Sequence, residues 1–254
     1  MENHTFPREI SLCLSGGGAR GAYHLGALSV LEEHNITIKA ISGTSIGALV
    51  GAALACGKTS TQIFEQIRSK AFRDIFSFAF STTHLFTIDT EATVFDALIT
   101  QEHFEALQIP LSIAVCDINT QSVHYFNTGD RLKELVLASC SIAPIFKPVP
   151  YDEMLLVDGG IIDNFPVEQL QHSGYPIIGI NLFPSRPVAS YSIFGMLRNV
   201  LFTAWQAHNI QKKALCHLYL GSPELHTLKT FSLKDLDKAY ALGRKEMQMV
   251  FEGY

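Results

Sequence analysis

Gly43-Thr44-Ser45-Ile46-Gly47 places a serine between two glycines at the spacing of a nucleophile elbow. In such a turn the chain passes from strand to helix so sharply that only small residues fit beside the serine, whose oxygen is left exposed. The apolar run Ile38-Lys39-Ala40-Ile41-Ser42 before it and the apolar helical pattern after it supply the strand and the helix. A second glycine turn, Gly16-Gly17-Gly18-Ala19-Arg20-Gly21, follows the run Ile10-Ser11-Leu12-Cys13-Leu14. Its consecutive backbone N–H groups have no side chains in the way and suit a developing oxyanion, with Gly17 and Gly18 as the expected donors. A third turn, Asp158-Gly159-Gly160, sets a carboxylate at the end of Met154-Leu155-Leu156-Val157. Nucleophile, anion cradle and strand-end base together point to acyl transfer.

Each of these residues also has a plainer reading. G-x-S-x-G alone arises by chance in about one chain in ten of this length, since Gly and Ser each fill roughly 7% of positions. Ser45 alone would serve as a helix N-cap, and Asp158 alone as a turn aspartate bonding its own backbone. The combination favours chemistry, with Ser45 as the nucleophile at the positive end of its helix. Asp158 is then the general base, in surroundings dry enough to raise its pKa. Asp163 is the local rival, but Asp163-Asn164-Phe165-Pro166 reads as turn chemistry. Arg20 has two readings: charge for the oxyanion or for a substrate phosphate, or an ion pair that braces the loop. Gly16, Gly21, Gly43, Gly47, Gly159 and Gly160 are expected to support the three turns.

Other chemistries fit less well. Gly16-x-Gly18-x-x-Gly21 matches the dinucleotide fingerprint, but the second strand ends Ala40-Ile41-Ser42-Gly43 without the carboxylate that would hold a ribose. A Walker loop lacks its Gly-Lys-Ser/Thr ending. A Ser-Asp-His triad is permitted by chain order through His172, His208, His217 or His226, although Ser45 follows only the second strand. A malonyl-type acyltransferase would carry a histidine after the serine, where Ile46 stands. The ten histidines form no ligand cluster, so neither a metal nor any other cofactor is expected.

In this order the motifs resemble those of the patatin-like phospholipases, in the small bacterial-type form of that family. The resemblance runs from Gly16-Gly17-Gly18-Ala19-Arg20-Gly21-Ala22-Tyr23-His24-Leu25-Gly26 through Gly43-Thr44-Ser45-Ile46-Gly47-Ala48. It continues in Ala138-Ser139-Cys140-Ser141-Ile142-Ala143-Pro144 and in Asp158-Gly159-Gly160 with its Asn164-Pro166 tail, and so covers residues 10 to 185. It implies a Ser–Asp dyad with no catalytic histidine and calcium-independent hydrolysis of phospholipid, lysophospholipid or other acyl esters.

Composition sets the frame for these turns. A chain of 254 residues buries a sizeable core, and residues 1–254 are expected to form one domain. A net charge of −5 without a Lys/Arg cluster argues against nucleic acid as a partner. The five cysteines are odd in number, unpaired in spacing and set in apolar runs, which reads as buried thiols in a reducing compartment. Met1-Glu2-Asn3-His4-Thr5-Phe6 lacks the marks of a signal peptide, so a cytoplasmic location is expected, with peripheral contact at a membrane an open alternative. From Ala40 to Gly57 eighteen residues carry no charge. Strand, turn and buried helix explain that stretch better than a membrane span.

Strand-like runs near 9–14, 38–42, 110–116, 122–126, 154–157, 176–182 and 217–220 alternate with helical patterns. The helices are expected at Ala22–Glu33, Ser45–Cys56, Thr61–Ser69, Glu91–Thr100, Asp130–Ser139, Val167–His172, Ile193–Lys213 and Leu233–Phe251. This alternation predicts an α/β fold, a three-layer domain around a mostly parallel central sheet. Two apolar regions have two readings each, core packing or lipid contact. One comprises Phe72, Phe76, Phe78, Phe80, Leu85 and Phe86; the other comprises Phe194, Met196, Leu197, Val200, Leu201, Phe202 and Trp205.

Overall fold

Strand β1 (Glu9–Leu14) alternates between two buried faces. Ile10, Leu12 and Leu14 join the main core, while Cys13 joins a smaller cluster on the opposite side with Phe165, Val167, Leu170 and Ile177. A strand buried on both faces belongs at the centre of a parallel sheet. Beside it lies β2 (Thr37–Thr44), parallel, with Leu12 opposite Ile41 and Leu14 opposite Gly43. The computed structural model describes residues 5–74, 76–78, 86–88, 93–184, 192–193, 196, 200, 203, 211–230 and 232–254.

The helices between these strands are apolar where the sheet needs cover. Helix α1 (Ala22–Glu33) is buried from Ala22 to Leu31, and all ten residues of α2 (Ile46–Ala55) are buried. The charge-free stretch is therefore strand, turn and buried helix, as the sequence predicts. Among the described residues no helix is long and apolar enough to cross a membrane. Helix α3 (Ser60–Arg68) starts one residue before its predicted position because Thr59 and Gln62 close a reciprocal capping box. Short elements follow: α4 (Lys70–Asp74), the antiparallel pair β3 (Phe76–Phe78) and β4 (Phe86–Ile88), and α5 (Thr93–Leu98).

Strand β5 (Leu111–Asp117) is buried throughout and forms a hairpin with β6 (Ser122–Phe126). Helix α6 (Leu132–Ser139), strands β7 (Val149–Tyr151), β8 (Met154–Asp158), β9 (Ile177–Ile180) and β10 (Leu218–Leu220), and helix α7 (Leu236–Glu252) complete the order. The sheet runs β10-β9-β1-β2-β5-β8-β7, with β6 also on β5. The five strands from β10 to β5 are mutually parallel, and β6, β7 and β8 pair antiparallel. The fold class is thus α/β with a mostly parallel sheet.

Several elements depart from expectation. Val167–His172 is a 3₁₀ turn over Val167–Leu170, entered from Pro166, and β7 and the β3–β4 pair have no counterpart in the predicted strands. The expected helix Ile193–Lys213 lies largely outside the described residues; its end is a 3₁₀ turn at Lys212–Leu215. Of the two apolar regions, Phe72 is core, packed edge-on to Phe95 at 6.4 Å. Met196 and Val200 are exposed. Phe80, Leu85, Phe194, Leu197, Leu201, Phe202, Trp205 and the side chains of Phe76, Phe78 and Phe86 lie outside the described residues.

Candidate active site

Strand β5 brings two turns together. On one of its edges β2 runs parallel, ending with Thr44 opposite Ala114. On its other edge lies β6, where Ala114 and Val115 face Tyr125 and His124. Strand β8 also pairs with Val115, through Asp158, so it must share the β2 edge. It runs antiparallel and stops where β2 stops. The two strands meet end to end, which delivers Ser45, one residue past Thr44, against Asp158.

Ser45 turns the chain with φ 56 and ψ −126, a conformation costing a non-glycine residue about 1–3 kcal/mol. The glycines on either side make it possible. A Cβ on Gly43 would lie 2.6 Å from the Gly47 carbonyl, and one on Gly47 would lie 2.2 Å from the Leu14 oxygen. The Ser45 side chain makes no capping bond to α2. Its hydroxyl instead faces the Asp158 carboxylate closely enough to favour the charged form of that acid.

Asp158 is buried, and burial pushes its pKa up to about 6, against the opposing pull of the nearby Ser45 hydroxyl and the Gly160 N–H. The Gly160 N–H donates to Oδ1 at 2.7 Å, so the turn bond expected of a strand-end aspartate is present as well. The Asp158 N–H donates to the Ser141 carbonyl at 3.0 Å. Gly159 packs flat on β5, where a Cβ would come within 2.4 Å of the Ala114 oxygen.

The first glycine turn passes over the serine. A Cβ on Gly16 would stand 3.1 Å from that of Ser45. Gly16 is clamped by Asn164, whose carbonyl accepts from the Gly16 N–H at 3.2 Å and whose Nδ2 donates to the Gly16 oxygen at 3.4 Å. Gly18 has φ 56, and a Cβ there would meet the Thr230 oxygen at 2.4 Å. Among the described residues the N–H groups of Gly17 and Gly18 have no partner. Gly21 lies under the Ile46 side chain.

Arg20 is buried in this loop. Its Nε and Nη2 donate to the Leu228 carbonyl at 3.0 and 2.8 Å, Nη1 donates to the Leu182 carbonyl at 3.4 Å, and the guanidinium lies over Phe183. These bonds tie the loop to two later segments through carbonyl oxygens. Asp163 makes the turn bond read from its sequence, accepting from the Phe165 N–H at 3.0 Å. It also accepts from Lys212 at 2.8 Å and from the Tyr125 hydroxyl at 2.7 Å, contacts that sequence spacing does not reveal.

Among the described residues no histidine bonds Ser45 or Asp158. His172 and His217 are exposed, and His226 faces the Pro184 carbonyl at 2.8 Å. His208 lies outside the described residues. One histidine not weighed from the sequence, His24, is wholly buried on α1 with Nε2 2.9 Å from the Ser15 carbonyl. Burial pushes its pKa down to about 4, so it stays neutral and donates from Nε2 to the chain entering the glycine turn. Its place between Tyr23 and Leu25 in an apolar helix was the only signal of burial.

Comparison with known proteins decides the family. A family profile described as patatin-like phospholipase matches residues 12–170. The chain belongs to the patatin-like phospholipase family. Among patatin-like relatives, neuropathy target esterase sws of Drosophila melanogaster is 32% identical over 174 residues, covering 65% of this chain and 12% of that protein. The Drosophila virilis protein of the same name is 34% identical over 166 residues, covering 62% and 11%. The chain thus spans about an eighth of the length of these relatives. The structure of VipD from Legionella pneumophila aligns with a TM-score of 0.54 at 13% identity, covering 97% of this chain and 67% of that one, a likeness of fold.

Proposed function

We propose that this patatin-like chain is a lipid acyl hydrolase working through a Ser45–Asp158 dyad. The observation that supports the reading is the end-to-end meeting of β2 and β8, with Ser45 following one strand and the buried, raised-pKa Asp158 ending the other. Ser45 Oγ attacks the ester carbonyl carbon while its proton passes to Asp158. The carbonyl oxygen becomes an oxyanion and is received by the Gly17 and Gly18 N–H groups. Collapse expels the alcohol, which takes the proton from Asp158 and leaves an acyl-serine. A water molecule then gives its proton to Asp158 and attacks the acyl carbon. Ser45 leaves with that proton, and the fatty acid is free. A carboxylate with a pKa near 6 is a far better proton acceptor than an ordinary one, while still ionised at neutral pH.

No step calls for calcium, and the substrate class is phospholipid, lysophospholipid or a related acyl ester, met at a membrane surface or in a micelle. The test is hydrolysis of mixed phospholipids and lysophospholipids, in excess chelator, by wild type, Ser45→Ala and Asp158→Asn. Both variants should lose turnover by several orders of magnitude, and a fluorophosphonate should label wild type at Ser45. His172→Ala, His208→Ala, His217→Ala and His226→Ala should stay active; collapse of one of them would move the chain to the triad class.

A further inference from the structure

Ala138-Ser139-Cys140-Ser141, at the end of α6, carries no group that touches the reacting atoms in the mechanism above. Yet Ser139 is fully buried and bonded to the nucleophile's own backbone. Its Oγ accepts from the Ser45 N–H at 2.8 Å and donates to the Ala114 carbonyl at 2.8 Å. A hydroxyl has one proton, and here it is directed at Ala114, so only lone pairs face Ser45.

The sheet register explains this arrangement. The Ile41 N–H donates to the Pro110 carbonyl at 2.9 Å, and Ile41 is opposite Leu111. A parallel ladder repeats every second residue, so the next rungs run from Gly43 to Ser112 and from Ser45 to Ala114. At Ser45 the chain leaves the strand with φ 56, and the Ser45 N–H is found on Ser139. The Ser139 hydroxyl stands in that rung, joined to Ser45 on one side and to Ala114 on the other.

We propose that Ser139 is the positioning residue of the elbow. It satisfies the two backbone groups that the turn at Ser45 would otherwise leave buried and unpaired, and so holds the strained conformation that aims Ser45 Oγ at Asp158. The proposal rests on Ser45 being the nucleophile. It has a corollary: the Ser45 N–H is committed to Ser139, so the oxyanion depends on the glycine turn. Ser139 itself is no second nucleophile, because its proton is held by a carbonyl.

The experiment compares wild type, Ser139→Ala, Ser139→Thr and Ser139→Val in ester hydrolysis and in the rate of fluorophosphonate labelling at Ser45. Ser139→Ala should lower kcat about a hundred-fold, the scale of a small misplacement of a reacting group, and slow labelling in parallel. KM should stay within about threefold, since no substrate contact is lost. Threonine and valine add the same volume, but only threonine keeps the hydroxyl; Ser139→Thr should exceed Ser139→Val by about ten-fold or more in kcat. Thermal unfolding of each variant sets an assay temperature at which all are folded, and if the alanine variant has none, the threonine and valine pair decides. An alanine variant with wild-type kcat, or a loss expressed in KM alone, overturns the proposal while leaving Ser45 as nucleophile. A wild type that neither hydrolyses esters nor takes the label overturns the reading of Ser45 and this inference with it.

Discussion

Asp158 and His24 are both buried, and burial moves them in opposite directions. Asp158 titrates near 6 in the fold instead of at its ordinary 3.8, so the folded protein binds its proton more tightly than the unfolded chain. Its contribution to stability is therefore full below about pH 4 and is lost as pH rises through about 6. His24 is lowered from 6.5 to about 4, so its neutral form contributes above 6.5 and that contribution is lost as pH falls toward 4. The two effects oppose each other over the same window, and a wild-type stability curve reports neither alone. The difference between Asp158→Asn and wild type does. Above pH 6 the variant should melt higher, by up to about 3 kcal/mol for a two-unit shift, and the gap should close as pH falls to 4. Activity should run the other way. As the proposed base, Asp158 must be ionised, so wild-type kcat/KM should fall tenfold per pH unit below about 6. A flat rate profile from pH 8 to pH 4 would remove Asp158 from the role of base. Gly18 offers a second test at this scale. With φ 56 and the Thr230 oxygen in the way, Gly18→Val should displace the turn and cut turnover about a hundred- to thousand-fold, as loss of one oxyanion donor does.

The turn after β8 is held from outside by a largely buried Lys212–Asp163 ion pair, to which the exposed Glu168 adds a second carboxylate. Lys212 lies 2.8 Å from both Asp163 and Glu168, and it donates at 3.3 Å to the Phe165 carbonyl. Burial alone would lower the Lys212 pKa, but the two carboxylates outweigh it and hold the pKa above its ordinary value. Lys212→Met should leave Asp163 buried with only the Tyr125 hydroxyl and the Phe165 N–H, a loss of about 3–5 kcal/mol by thermal or urea unfolding. An unchanged melting temperature would show that the cluster holds nothing. Such contacts mark the boundary of what the sequence discloses. The strand–turn–helix units around Gly16 and Gly43 were legible, because a short apolar run, small residues at fixed offsets and an apolar helix are all local signals. So was Asp158, by its place after Met154-Leu155-Leu156-Val157. Its meeting with Ser45 was not, since the shared edge of β5 is a matter of long-range register. Ser139 stood in a recognisable motif, but its role depends on a ladder rung between β2 and β5. Val167–Leu170 is a 3₁₀ turn where the sequence predicts a helix, because one turn of apolar spacing looks alike in both.

At the scale of the molecule, the segment that matches the family profile ends at residue 170, yet the fold does not. Strand β9 fills the far edge of β1, pairing Leu12 with Ile178 and Leu14 with Ile180, and β10 in turn covers β9. The glycine turn leans on the same later chain. Arg20 bonds the Leu182 and Leu228 carbonyls, the Ala19 N–H donates to the Thr230 carbonyl at 2.7 Å, and the Leu182 N–H donates to Ser15 Oγ at 2.9 Å. Helix α7 closes on α1 so tightly that a Cβ on Gly243 would meet the Tyr23 oxygen at 2.1 Å, and one on Gly26 would meet the Tyr240 oxygen at 1.9 Å. Residues 176–254 thus carry one edge of the sheet, the partner of the first helix and the brace of the first glycine turn. Truncation tolerance follows from what the removed backbone was bonded to, and here it was bonded to the core. A fragment ending at residue 175 should show no cooperative thermal transition and no fluorophosphonate labelling at Ser45. Deletion of Gly253 and Tyr254 alone, beyond the end of α7, should leave both nearly unchanged. If the fragment ending at residue 175 unfolds cooperatively and takes the label, the later strands and helix are accessory and the first glycine turn holds its own shape.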